Sequence, residues 1–294
     1  MRGTLTALVL ALATPAVAEP LQVVTDIPAV HSLVSRLAGD RAEVALLADR
    51  ATDLHHMQLR PSQGRSLAQA DLIVWMGEDL TPWLERARQS LAPETPSLAL
   101  FTFLEENEEP DDDHGHDDHE GEHHNDPHVW LDPVAMAASV APITARLIAL
   151  DPDGADAFRT AQAETEEMLA ALEKETKAVL EPVSDRAFIV SHDGFDYFAD
   201  RFGLTIAGSI TDVAANAASA GTLSDLTSAV DQQTVTCVFG EVGHDSRLAH
   251  LLSDHGAKLG GDLDPGGLTL APGPELYPQL IRNLSYTLVD CLSD

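Results

Sequence analysis

Residues 153–180, DGADAFRTAQAETEEMLAALEKETKAVL, decide the fold. Phe158, Ala161, Thr165, Met168, Leu172, Thr176 and Val179 recur three or four residues apart, so one helical face is apolar. The opposite face carries Glu164, Glu166, Glu167, Glu173, Lys174 and Lys177. A helix of this length, at 1.5 Å per residue, spans ~42 Å, more than a crossover between parallel strands requires. Pro182 stops it.

On both sides of this stretch, short apolar runs alternate with amphipathic segments. Before it, strands are expected at 21–25, 42–47, 71–76 and 97–101. Helices are expected at 28–38, 62–70 (with Ser62 as N-cap) and 81–91. After it come strands at 187–190 and 235–239 and helices at 194–202, 222–230, 246–255 and 276–292. This rhythm implies βαβ units and mostly parallel sheets. The fold class is therefore α/β, with two similar lobes, 19–152 and 182–294, joined by one long helix over 153–181. A single large α/β domain is the alternative.

Met1 to Ala18 reads as a secretory leader: Arg2, an apolar run from Leu5 to Ala13, and Ala16-Val17-Ala18 before Glu19. No cysteine stands at the cleavage point, so no lipid anchor is expected there. No later segment reads as approaching the ~20 apolar residues of a membrane span. Cys237 and Cys291, an even pair in an exported chain, read as a disulfide in preference to metal ligands. The formal charge of −31, from 17 basic and 48 acidic side chains, argues against nucleic acid and anionic membranes and favours cations.

Glu105 to Asp126 concentrates that charge in twelve acids with no lysine or arginine, and adds His114, His116, His119, His123 and His124. Neutral imidazoles among carboxylates suit borderline cations such as zinc. The composition also predicts disorder for this insertion.

Further ligand candidates sit where strands end, the usual place for ligands in open α/β sheets. His55 lies in the loop after strand 42–47, and His128 follows the acidic insertion. His192 comes directly after Phe188-Ile189-Val190-Ser191, and Asp264 lies in Gly261-Asp262-Leu263-Asp264-Pro265. Two come from each lobe, so one ion can bridge them. Three imidazoles and a carboxylate match a tetrahedral zinc site. Glu241 and Asp193 are candidates to orient the rings. His31, His244, His250 and His255 read as structural or surface residues.

Several of these motifs resemble a known family. His55-His56-Met57-Gln58-Leu59-Arg60-Pro61-Ser62, followed by Ala70-Asp71-Leu72-Ile73-Val74-Trp75-Met76-Gly77, resembles the first-ligand region of zinc-binding periplasmic proteins of ABC importers, the cluster A-I solute-binding family. Asp126-Pro127-His128-Val129-Trp130-Leu131, Ser191-His192-Asp193-Gly194-Phe195-Asp196-Tyr197-Phe198 and Gly261-Asp262-Leu263-Asp264-Pro265 are similar to its other three regions. The acidic histidine-rich insertion and the Cys237/Cys291 pair fit the resemblance, which covers essentially the whole mature chain. It implies two lobes around a rigid helix, with zinc between them on His55, His128 and His192; manganese-type members place a carboxylate at the third position. The fourth donor is Asp264, another carboxylate such as Glu241, or water. Asp53-Leu54 stands where the family commonly has a small residue and proline, and His56 adjoins His55. The choice of His55 rests on counting back from Arg60-Pro61-Ser62.

The expected function is a monomeric, non-enzymatic periplasmic protein that captures Zn2+ and delivers it to an inner-membrane ABC permease with its cytoplasmic ATPase. The histidine-rich insertion would gather zinc at weaker sites. A soluble zinc buffer or chaperone, and a zinc-dependent hydrolase, are the alternatives. No His-Glu-x-x-His motif favours the hydrolase.

Overall fold

The computed structural model describes residues 19–48, 54–107, 126–214, 216 and 218–293. The leader and the five histidines of the acidic insertion lie outside them.

The first lobe runs β1 (Leu21–Thr25), α1 (Pro28–Ala38), β2 (Ala42–Leu46), α2 (Pro61–Ala68), β3 (Leu72–Trp75), α3 (Pro82–Leu91), β4 (Ser97–Ala99), α4 (Leu100–Glu106), α5 (Pro133–Ala138) and α6 (Val140–Leu150). The long helix α7 (Ala155–Leu180) follows. The second lobe runs β5 (Phe188–His192), α8 (Asp196–Phe202), β6 (Ile206–Thr211), α9 (Ala220–Asp231), β7 (Cys237–Val238), α10 (Arg247–Asp254), β8 (Lys258–Leu259) and α11 (Leu276–Leu292).

Each lobe holds a four-stranded sheet, ordered β2-β1-β3-β4 in the first and β6-β5-β7-β8 in the second. All pairings are parallel. The two orders are the same pattern offset by four strands. The strand order reverses between β1 and β3 and between β5 and β7, creating a switch point at the carboxyl ends of β1 and β5.

Several elements differ from the sequence expectation. The expected strand 97–101 ends at Ala99 and turns at once into α4. The N-cap of α2 is Arg60, with Pro61 in the first turn, and the Gln63 side chain accepts from Arg60 N at 2.8 Å. Ser62 is thus already helical. Strand β7 has only two residues, and β5 extends to include His192. Strand β6 and helices α4 to α6 add to the expected elements. Residues 133–150 are long and apolar enough, by length and composition, to cross a membrane, contrary to the sequence reading. They are divided at Ser139 into α5 and α6, and both helices pack on α7.

Helix α7 buries Phe158, Thr165, Leu169, Leu172, Thr176 and Leu180. Leu169 and Leu180 replace the expected Met168 and Val179, which are half-buried, among the innermost residues, while Phe158, Thr165, Leu172 and Thr176 keep their expected places. The helix packs on α1, α5 and α6 from one lobe and on α8 and α11 from the other. One continuous apolar core consequently runs from Val23, Val30 and Leu72 through Phe158 and Leu172 to Phe188, Phe198 and Leu284. The helix is a shared wall of both lobes. Cys237 and Cys291 are joined, tying β7 to α11 across 54 residues.

Candidate metal centre

Three loops or strand ends bring His55, His128 and His192 together. One ring nitrogen from each lies within 4.8 Å of the others. The ring centroids are 5.3 Å apart for His55–His128, 5.6 Å for His55–His192 and 4.7 Å for His128–His192. His128 and His192 are buried and His55 is half-buried. The neighbouring His56 is exposed and outside the group.

Each ring is positioned by local structure. His55 follows Leu54, whose carbonyl accepts from Trp83 Nε1 at 2.9 Å, anchoring the loop to α3. His128 begins the turn Val129–Leu131 that leads into α5, which Asp132 caps by accepting from Val134 N at 2.7 Å. His192 is the last residue of β5, paired with Thr211 of β6 at the second sheet's switch point.

Hydrogen bonds decide which nitrogen faces the cluster. His128 Nδ1 donates to Asp126 Oδ1 at 2.5 Å, leaving the Nε2 lone pair for the centre. This is the carboxylate–imidazole pairing that orients metal-binding histidines and raises their basicity. Asp126 also accepts from His128 N at 3.0 Å. His192 Nε2 donates to the Val213 carbonyl at 3.1 Å, which turns Nδ1 inward. Burial, and then the neighbouring His128, His55 and His244 rings, lower the His192 pKa to about 3. His192 is therefore neutral at physiological pH, as a ligand must be.

Four neutral nitrogen or oxygen donors at about 2.0 Å from a tetrahedral ion are separated by ~3.3 Å. The ring nitrogens, within 4.8 Å of one another, would close by up to about 1.5 Å to reach that spacing. The cavity they line also receives Trp130, Glu241, His244, Pro265 and Leu268.

Asp264 is not brought to the cluster. Its carboxylate accepts from Leu268 N and Thr269 N, both at 2.8 Å, and from Thr269 Oγ1 at 2.6 Å, so it shapes its own turn. Backbone donors four and five residues away hold it more readily than a distant centre. Asp193 likewise bonds the Ser209 side chain. Glu241 does approach: its Oε2 lies 3.6 Å from His192 Nδ1. Two residues were missed in the sequence. Asp126 was legible as the carboxylate two positions before His128, whereas His244 carried no signal and reaches the cavity only through the turn after Glu241. His31 is a core residue whose Nε2 lies 3.2 Å from the Val44 carbonyl, and His255 pairs with Asp231 on the surface.

Segments 128–132 and 264–277 hold the lobes together at the site. Trp130 Nε1 donates to the Pro265 carbonyl at 2.8 Å, and Tyr277 OH donates to the Trp130 carbonyl at 2.9 Å. Arg201 of α8 grips Asp132 with bonds of 2.7 to 2.9 Å.

Two parallel α/β lobes sharing one helical wall, with a buried imidazole cluster between them, define a metal-capturing solute-binding protein. Comparison with known proteins makes this specific. The chain belongs to the family described as zinc-uptake complex component A, periplasmic, whose model matches residues 23–291. It is 36% identical to the high-affinity zinc uptake system protein ZnuA of Paracoccus denitrificans, over 95% of this chain and 94% of that protein. It is 34% identical to the protein of the same description from Brucella suis, over 92% and 91%. Among solved structures, the periplasmic zinc-binding protein TroA from Treponema pallidum shares the fold, with a TM-score of 0.78 and 22% identity over 94% of this chain and 99% of that one. So does a ZnuA deletion mutant with zinc bound, with a TM-score of 0.77 and 23% identity over 94% and 99%.

Proposed function

We propose that this chain captures Zn2+ in the periplasm on His55, His128 and His192 and delivers it to an inner-membrane ABC permease driven by a cytoplasmic ATPase. The observation that carries the reading is the convergence of three imidazole nitrogens from both lobes. Two of the rings have their other nitrogen fixed by an acceptor. Nitrogen donors of this kind suit zinc better than magnesium or calcium. Glu241 or water completes the four-coordinate shell. The relatives named above are zinc-uptake components, which supports capture and release, not turnover, as the chemistry here.

The remaining parts of the reading follow from the sequence. Residues 1–18 direct export and leave a monomer without a lipid anchor. Lobes 19–152 and 182–294 close on the ion against helix 153–181, with Cys237–Cys291 bracing the second lobe. His114, His116, His119, His123 and His124 gather zinc at weaker sites.

The test is calorimetric titration of the metal-stripped mature protein with zinc, and with manganese as rival. His55→Ala, His128→Ala and His192→Ala should each lose one tight zinc ion while weaker binding persists. Parent-like tight binding in all three variants would move the site elsewhere and sink the assignment.

A further inference from the structure

Glu241 and His244 line the same cavity as the three rings. Glu241 is placed by the bridge it forms with Leu263 past the ends of β7 and β8, and His244 by a turn in which its N–H donates to the Glu241 carbonyl at 3.1 Å. The Glu241 carboxylate then faces two imidazoles. Its Oε2 lies 3.6 Å from His192 Nδ1, and its Oε1 lies 3.5 Å from His244 Nε2. The two rings are stacked, 5.9 Å apart and 11° from parallel.

These separations have a chemical meaning. Charge-assisted hydrogen bonds between nitrogen and carboxylate run at about 2.7–2.9 Å, so neither contact is a well-formed ion pair. Both are close to the ~3.3 Å between two donors sharing one tetrahedral ion. Exposure differs along the row: the His192 and Glu241 side chains are 4% and 7% exposed, and that of His244 is 25% exposed. His244 is therefore the most solvent-accessible of these three side chains.

We propose that His244 Nε2 and Glu241 Oε1 form an outer subsite for a divalent cation of zinc's borderline character. Water fills its remaining positions. The subsite rests on the assignment of zinc to the three buried histidines, since its use is to pass the ion inward. The Glu241 carboxylate bridges the two positions, Oε1 serving the outer ion and Oε2 the inner one beside His192. Transfer would exchange Oε1 for Oε2 on one carboxylate, break the bond to His244 Nε2, and replace it and the waters with the three inner imidazoles.

The experiment is zinc calorimetry on the full mature chain in which His114, His116, His119, His123 and His124 are replaced by glutamine, so that the insertion does not mask a weak site. This background should bind one ion tightly and a second more weakly. Adding His244→Gln should abolish the second ion and leave the tight affinity within about threefold. His244→Asn repeats the measurement, and thermal unfolding of the apo forms confirms that both variants fold. A weak ion that survives both substitutions, or is absent from the background, overturns the subsite. Loss of the tight ion overturns it too, by making His244 a member of the inner site. Failure of the underlying zinc assignment is distinct: the background itself would then bind no tight ion.

Discussion

Replacing Asp126 with alanine tests how far the geometry around His128 sets metal affinity. One buried oxygen, Asp126 Oδ1, accepts both the His128 backbone N–H at 3.0 Å and the Nδ1–H at 2.5 Å. Removing it leaves two donors without their acceptor in a place where His128 is 2% exposed. The ring loses both its fixed tautomer and the anionic partner that makes Nε2 a better donor. Outer partners of this type are worth about 10–100-fold in metal affinity. At about 1.4 kcal/mol per decade this is roughly 1.4–2.8 kcal/mol. The unmet donors also lower apo stability by about 1–3 kcal/mol. Asp126→Asn retains a neutral acceptor, so its loss should stay below tenfold. Competition against a chromogenic zinc chelator at neutral pH measures the affinities, and thermal unfolding measures the stabilities. If Asp126→Ala folds and holds zinc within twofold of the parent, the carboxylate does not orient the ring and the tautomer assignment is wrong.

Three further outcomes are expected. A Cβ on Gly194 would lie 2.9 Å from Cγ, Cδ2 and Nε2 of His128, so Gly194→Ala should displace that ring. Zinc affinity should fall at least tenfold in the chelator assay while the circular dichroism of the fold is retained. Replacing Cys237 and Cys291 together by alanine releases a constraint 54 residues apart, which on the chain-entropy model lowers stability by about 4 kcal/mol. The urea midpoint should drop accordingly, with zinc stoichiometry unchanged. The third concerns pH. His192 has a folded pKa of about 3 against an ordinary 6.5, so between these values only the unfolded chain takes up the proton. Its contribution is present above pH 6.5 and is lost as pH falls toward 3. Asp26 acts oppositely: burial raises its pKa from 3.8 to about 6, so its contribution is full below 3.8 and is lost as pH rises through 6. Acid titration of the apo protein should therefore destabilise His192→Ala less than the parent below pH 6. Equal acid sensitivity would show that His192 is not held neutral by its surroundings.

Local pattern made much of this legible. The helices at 28–38 and 276–292 read correctly to the residue because a proline or an apolar stripe marks their boundaries. The long helix read within two residues at its start, since its apolar face repeats over many turns. Strand 97–101 did not, because Leu100 and Phe101 suit a strand locally and become helical only where the chain leaves the edge of the sheet. Asp264 had the residue type and place of a ligand but met backbone donors in its own turn first.

By itself, the sequence determined the α/β class, the repeat of the lobe pattern, the acidic balance and the histidines able to meet at strand ends. All follow from periodicity, composition and residue chemistry, which act over a few residues. The tertiary structure alone decided that α7 is a wall common to both lobes, because its burial depends on partners more than a hundred residues apart. It alone placed Val213 behind the His192 ring, fixing which of its nitrogens points inward. It also brought Glu241 and His244 up to His192. Such contacts are set by the register and crossing of packed elements, which no local stretch of chain encodes.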